Sequence, residues 1–178
     1  MSARPFTTAR GGGVRVHLHR RTRELLSDLC DQLEHLLTTE DPSSDPAMAR
    51  LFPAAYTDDP LRELEFERVT ADDLSAGRLE SLRAVRDTLD ADVLDEEQAR
   101  AWLRTLNDLR LVLGDRLEVT EQSEPDDFAS DPAGAGGFEL YALLGHLQGL
   151  LLLALDPEAV EPDPDAIRGG SGTIGPEA

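Results

Sequence analysis

Residues 101–118 read A-W-L-R-T-L-N-D-L-R-L-V-L-G-D-R-L-E. Trp102, Leu106, Leu109 and Leu113 recur at the spacing of one helix face, so the stretch predicts a helix buried along that stripe. Packing accounts for the leucines. It does not account for Asn107, Asp108 and Arg110 set among them, because a buried polar group costs free energy unless it finds a partner. Arg104 and Asp108 stand four apart and can pair locally for about 0.2–0.5 kcal/mol. Asn107 and Arg110 project elsewhere, towards a neighbouring helix. Arg104, Asn107, Asp108 and Arg110 are therefore the candidate polar network of the fold, with structure favoured over ligand binding.

Upstream, Asp95 caps this helix with Gln98 at the third position, a capping box that predicts a helix to about Leu117. Thr70 with Asp73 imitates a second box ahead of Leu74, Leu79, Leu82, Val85 and Leu89, giving a helix to about Asp90. Pro60 opens a separate helix from Leu61 to Arg68, and Pro46 a short one through Leu51. From Thr22 as N-cap, Leu25, Leu26, Leu29, Leu33, Leu36 and Leu37 keep helical spacing to Thr38. Before it, Phe6–Ala9 and Val14–Leu18 flank Gly11-Gly12-Gly13, and the alternation of Val14, Val16 and Leu18 with Arg15, His17 and His19 predicts a short hairpin.

Downstream, residues 120–137 are acidic and then rich in Gly, Pro and Ala, and are expected to form a flexible acidic loop. Phe138–Leu155 is a helix apolar nearly all round. Phe138, Tyr141, Leu144, Gln148, Leu151, Leu152 and Leu155 mark one broad face, and Leu140, Leu143, Leu147, Leu150 and Ala154 another. One neighbour cannot cover both, and Gly145 and Gly149 allow close approach of a second helix, so the face through Phe138, Tyr141, Leu144, Gln148 and Leu152 is a candidate homodimer helix. A membrane span needs about 20 apolar residues, and His146, Gln148 and the glycines argue for a buried or interface helix instead. Residues 157–178, rich in Pro and Gly, are expected to be a disordered tail.

These elements predict a mainly all-α helical bundle with a short N-terminal β-hairpin, a single domain over residues 1–156. Leucine dominates the apolar set and aromatic residues are only 4% of the chain, which favours helix packing over a sheet sandwich. The 17 basic residues, all arginine, face 36 acidic ones for a net charge of -19. Such a surface repels nucleic-acid phosphates and anionic membranes. The first 23 residues depart from it, with six arginines and no acid. That basic arm is read as solvated or resting on the acidic body, with at most weak or indirect DNA contact. No apolar run follows the early arginines, so the expected location is cytoplasmic.

Catalytic patterns such as G-x-S-x-G, a glycine loop ending in Gly-Lys-Ser/Thr, or H-E-x-x-H are absent, and no enzyme activity, cofactor or metal is expected. His17 and His19 share a strand face, too weak a pattern for a zinc site, and His146 on an apolar helix reads as a hydrogen-bonded core residue. Cys30, the sole cysteine, is the one candidate redox residue. It borders Leu26, Leu33 and Leu37, where a free cysteine behaves as a small buried hydrophobe.

The 101–118 segment, the closing helix with Tyr141, Leu144 and Leu147-Gln148, and weaker echoes in Leu51-Phe52-Pro53, Tyr56, Asp58-Asp59 and Glu65-Phe66 to Thr70 give the chain a likeness over about residues 6–155. It resembles the AosR-like family of actinobacterial proteins, built on a domain of unknown function and including an oxidative-stress transcription regulator. The resemblance implies a non-enzymatic regulator that works through protein contacts, cooperating with an alternative sigma factor or RNA polymerase in stress-linked transcription. It also implies redox control through a closely spaced cysteine pair, and this sequence, with Cys30 alone, departs from that. The competing reading is an interaction adaptor or scaffold outside transcription, for instance in regulated proteolysis.

Overall fold

The computed structural model describes residues 4–39, 46–51, 60–129 and 131–156, with the backbone alone described at 39, 47–49 and 60–73. Strands β1 (Phe6–Thr8) and β2 (Val14–Val16) are followed by α1 (Arg20–Thr39), α2 (Pro46–Leu51), α3 (Pro60–Asp87), β3 (Val93–Leu94), α4 (Glu96–Arg116) and α5 (Pro132–Leu155). A mainly helical domain with a small N-terminal sheet is what the hydrophobic periodicities predict.

The sheet is larger than the expected hairpin. β3 adds a third antiparallel strand, pairing Leu94 with Val14 and Val93 with Arg15. The turn between β1 and β2 places Gly11, Gly12 and Gly13 at φ +92°, +100° and +83°, the left-handed region that glycine enters without a Cβ clash. At Gly13 a side chain would also run into the Leu94 carbonyl oxygen. Phe6, Val14, Val16 and Leu94 are buried, so the sheet closes one end of the helical core.

The two helices expected over residues 61–68 and 70–90 are one continuous helix, α3. The intervening Val69-Thr70-Ala71-Asp72-Asp73 contains no Gly or Pro to break it, so the backbone runs through the imitation capping box. α4 begins as its sequence indicates: Gln98 N donates to Asp95 Oδ1 at 2.8 Å, and Asp95 N donates to Gln98 Oε1 at 3.0 Å.

The stretch expected as a loop, residues 120–137, contains a turn and the start of α5. Pro125–Phe128 form a 3-10 turn, and α5 starts at Pro132 with Asp131 accepting from Ala133 N and Gly134 N. Glycines at 134, 136 and 137 hide this start, because they weaken helix propensity. Packing explains Gly137, where a Cβ would sit 2.8 Å from Leu117 Cδ2. Phe128 stacks on Phe138, ring centroids 4.7 Å apart, and pins the turn to the helix. The expected tail, 157–178, lies outside the described residues.

α4 is the central helix. It packs on α2, α3 and α5 and also touches α1. Trp102 is fully buried, its indole N–H donates to Thr88 Oγ1 at 2.8 Å, and Phe6 meets it edge-on at 6.0 Å. Leu106 and Leu109 continue its buried stripe among Leu26, Leu33, Leu82, Leu144 and Leu151. Each such side chain contributes about 1.5–3 kcal/mol by leaving water. Arg86 of α3 reaches Asp31 at 2.9 Å and Glu34, both of α1, and Arg23 Nη1 donates to Leu89 O, which closes α1 onto the end of α3.

Candidate functional site

The polar residues of α4 divide between its two flanks instead of forming one local network. Towards α3, Asp108 is 3% exposed and pairs with Arg78, whose other terminal nitrogen donates to Leu51 O at the end of α2. Arg104 Nε donates to Ser81 Oγ at 3.0 Å. The local Arg104–Asp108 pair is thus replaced by partners on α3, because the helix packs those partners closer to the buried carboxylate. Burial pushes the Asp108 carboxyl above its ordinary range, and the hydrogen bond and charge of Arg78 offset part of the rise.

Towards α5, Gln148 Nε2 donates to Asn107 Oδ1 at 3.4 Å. Arg110 Nη2 donates to Tyr141 Oη at 3.2 Å, and the guanidinium carbon lies 5.0 Å from the centre of the Tyr141 ring. Gly114, one turn on, leaves room for that ring, since a Cβ there would approach Tyr141 Cε2 to 3.0 Å. Asn107 and Arg110 therefore fix the α4–α5 junction, while Asp108 and Arg104 fix α3 and, through Arg78, α2.

Beside this junction an open cleft of about 580 Å³ lies between α2, α4 and the residues after α4. Asn107, Arg110, Leu111, Asp115 and Tyr141 line it, with Arg50 of α2, whose Nε meets Asp115 Oδ1 at 3.0 Å. Leu111 is 37% exposed there. The wall sets guanidinium, carboxylate, amide and apolar groups side by side. Asp115 and Glu118 bring two carboxylates to the wall, and among the described residues no serine, cysteine or histidine lines it.

Cys30 lies away from this cleft, fully buried between α1 and the core. Burial pushes its thiol up to about 12 from 9.0, against a smaller lowering by Arg86. A thiol held protonated this far above neutrality is a poor nucleophile and a poor sensor of oxidants. His17, His19 and His146 come together at a second cleft with Arg4, Leu143 and Leu150. His146 is exposed rather than in the core, because the outer side of α5 faces solvent. Among the described residues no group of three or more His, Cys, Asp or Glu is placed to hold a metal ion.

On the expected dimer helix, Leu144 and Leu151 are buried inside the chain, Tyr141 and Gln148 are engaged by α4, and Phe138 by Phe128. Leu152, 50% exposed, is the member left outward, together with Ala142 and Gly149. The helix is long and apolar enough to cross a membrane by length and composition, yet its buried residues belong to the core of the domain. The pairing of Tyr141 with Arg110 was not readable from spacing, since helix periodicity gives a residue's face and not its partner across a junction.

A domain of unknown function, DUF2017, matches residues 3–155. Over 128 residues the chain is 34% identical to a Mycobacterium leprae (strain TN) protein named "Putative oxidative stress regulator AosR", covering 62% of this chain and 58% of that protein. The chain thus spans less than two thirds of the length of the curated relative it matches. No solved structure matches. The match over nearly the whole described domain shows that the chain belongs to the DUF2017 family.

Proposed function

We propose that this protein is a non-enzymatic, cytoplasmic regulator of stress-linked transcription that acts through contact with an alternative sigma factor or RNA polymerase. The observation that carries this reading is the 34% identity to a relative named as an oxidative stress regulator. The mixed polar and apolar wall of Arg50, Arg110, Leu111 and Asp115 supports it, because such a surface suits a protein partner. The net charge of -19 supports action through protein rather than duplex DNA. Redox control, in this reading, is exerted elsewhere in the assembly, since Cys30 is buried and protonated.

Reconstitution tests it. Purified chain is mixed with RNA polymerase core, with core plus alternative sigma factors, and with protease and chaperone subunits, and each mixture is resolved by size-exclusion chromatography. Co-elution with polymerase or a sigma factor is expected. Co-elution only with the proteolytic subunits would replace this reading by the adaptor role.

A further inference from the structure

The second cleft, about 420 Å³, is the one place where three of the chain's four histidines meet. His17 and His19 come from the segment after β2, His146 from the outer side of α5, and Arg4 from the residues just before β1. Leu143, Leu147 and Leu150 form an apolar floor, and His17 Nε2 lies 3.5 Å from Thr7 Oγ1. In a chain with 36 acidic residues, no Asp or Glu among the described residues lines this cleft. An imidazole offers an N–H donor whether neutral or protonated. The described lining therefore presents Arg4, the three imidazoles and the Thr22 hydroxyl as donors over a leucine floor, with no carboxylate among them.

We propose that the segment directly following α5, residues 157–165 (P-E-A-V-E-P-D-P-D), docks into this cleft in the same chain. Two independent features point to it. The first is charge and hydrogen bonding: the segment carries Glu158, Glu161, Asp163 and Asp165 and no base, complementing the Arg4 guanidinium and offering acceptors to the imidazole N–H donors, and Val160 supplies an apolar side chain for the leucine floor. The second is reach. α5 ends beside β1, where Thr8 Oγ1 donates to Ala154 O at 2.9 Å. From there back to His146 is about 15 Å along the helix, whereas nine extended residues span about 30 Å. This docking is independent of the proposed role in transcription.

Paramagnetic NMR on the full chain tests this. A nitroxide is attached at Ala159→Cys, with Cys30 left in place because its buried thiol does not compete for the label. The expected result is selective loss of the amide signals of His17, His19, His146 and Leu150 relative to the reduced label, largely reversed near 1 M salt, where the screening length falls to about 3 Å. Adding His17→Ala and His146→Ala should also restore the signals of Leu150 and Leu18, with helicity unchanged. Signal loss confined to the last turn of α5, spread evenly, or centred elsewhere would overturn the proposal. So would loss at the cleft only in a mixture of isotope-labelled and spin-labelled copies, which would assign the occupant to a second molecule.

Discussion

At the scale of single residues, burial decides what the polar groups of this chain do. Cys30 has no exposed surface and its thiol is pushed up to about 12. Between pH 9 and 12 the unfolded chain releases a proton that the folded chain retains, so stability falls as pH rises through that window. Cys30→Ala should flatten the dependence measured by urea unfolding, and native protein at pH 8 should resist thiol reagents until it is unfolded. Thr88 is the acceptor for the Trp102 indole. Thr88→Val leaves that buried N–H without its partner and is expected to cost about 1–3 kcal/mol, read from the urea midpoint with the slope unchanged.

At the scale of elements, the β1–β2 turn depends on glycine. Gly13→Ala places a Cβ against the Leu94 carbonyl at φ +83°, and should destabilise the domain by more than about 1 kcal/mol, with loss of hydrogen-exchange protection first in β2 and β3. Elements set by local signals were legible in the sequence: the Asp95–Gln98 box, the stripe of Trp102, Leu106 and Leu109, and the glycine turn. β3 was not, because two residues carry no periodicity and its pairing with Val14 is long-range. The unbroken course of α3 was hidden by the imitation cap at Thr70, and the early start of α5 by the weak helix propensity of its glycines. The candidate polar residues of α4 were identifiable as a structural set, of which only Asp108 is buried, but their assignment to α3 on one flank and α5 on the other depends on how the helices cross.

At the scale of the whole molecule, α5 leaves part of its outer face uncovered. Ala142, Gly149 and Leu152 are exposed along a stretch, residues 140–155, that contains no Asp, Glu, Arg or Lys. On a chain of net charge -19 this is where a second copy meets least repulsion, and we propose a homodimer there. Light scattering at tens of micromolar should give twice the chain mass, and Leu152→Glu should return it to one; a single-chain mass for the unaltered protein would remove the dimer. The proposed regulatory contact belongs to the opposite flank of the α4–α5 junction, at Arg50, Leu111 and Tyr141.

The most direct test of that account is equilibrium binding of the purified full chain to RNA polymerase carrying an alternative sigma factor, compared with Leu111→Asp, a partly exposed position in the cleft wall. The account predicts saturable binding that weakens at least tenfold, about 1.4 kcal/mol, in the variant while its thermal unfolding stays unchanged. Absence of binding to polymerase and to the sigma factor, or equal affinity for the two proteins, would contradict it.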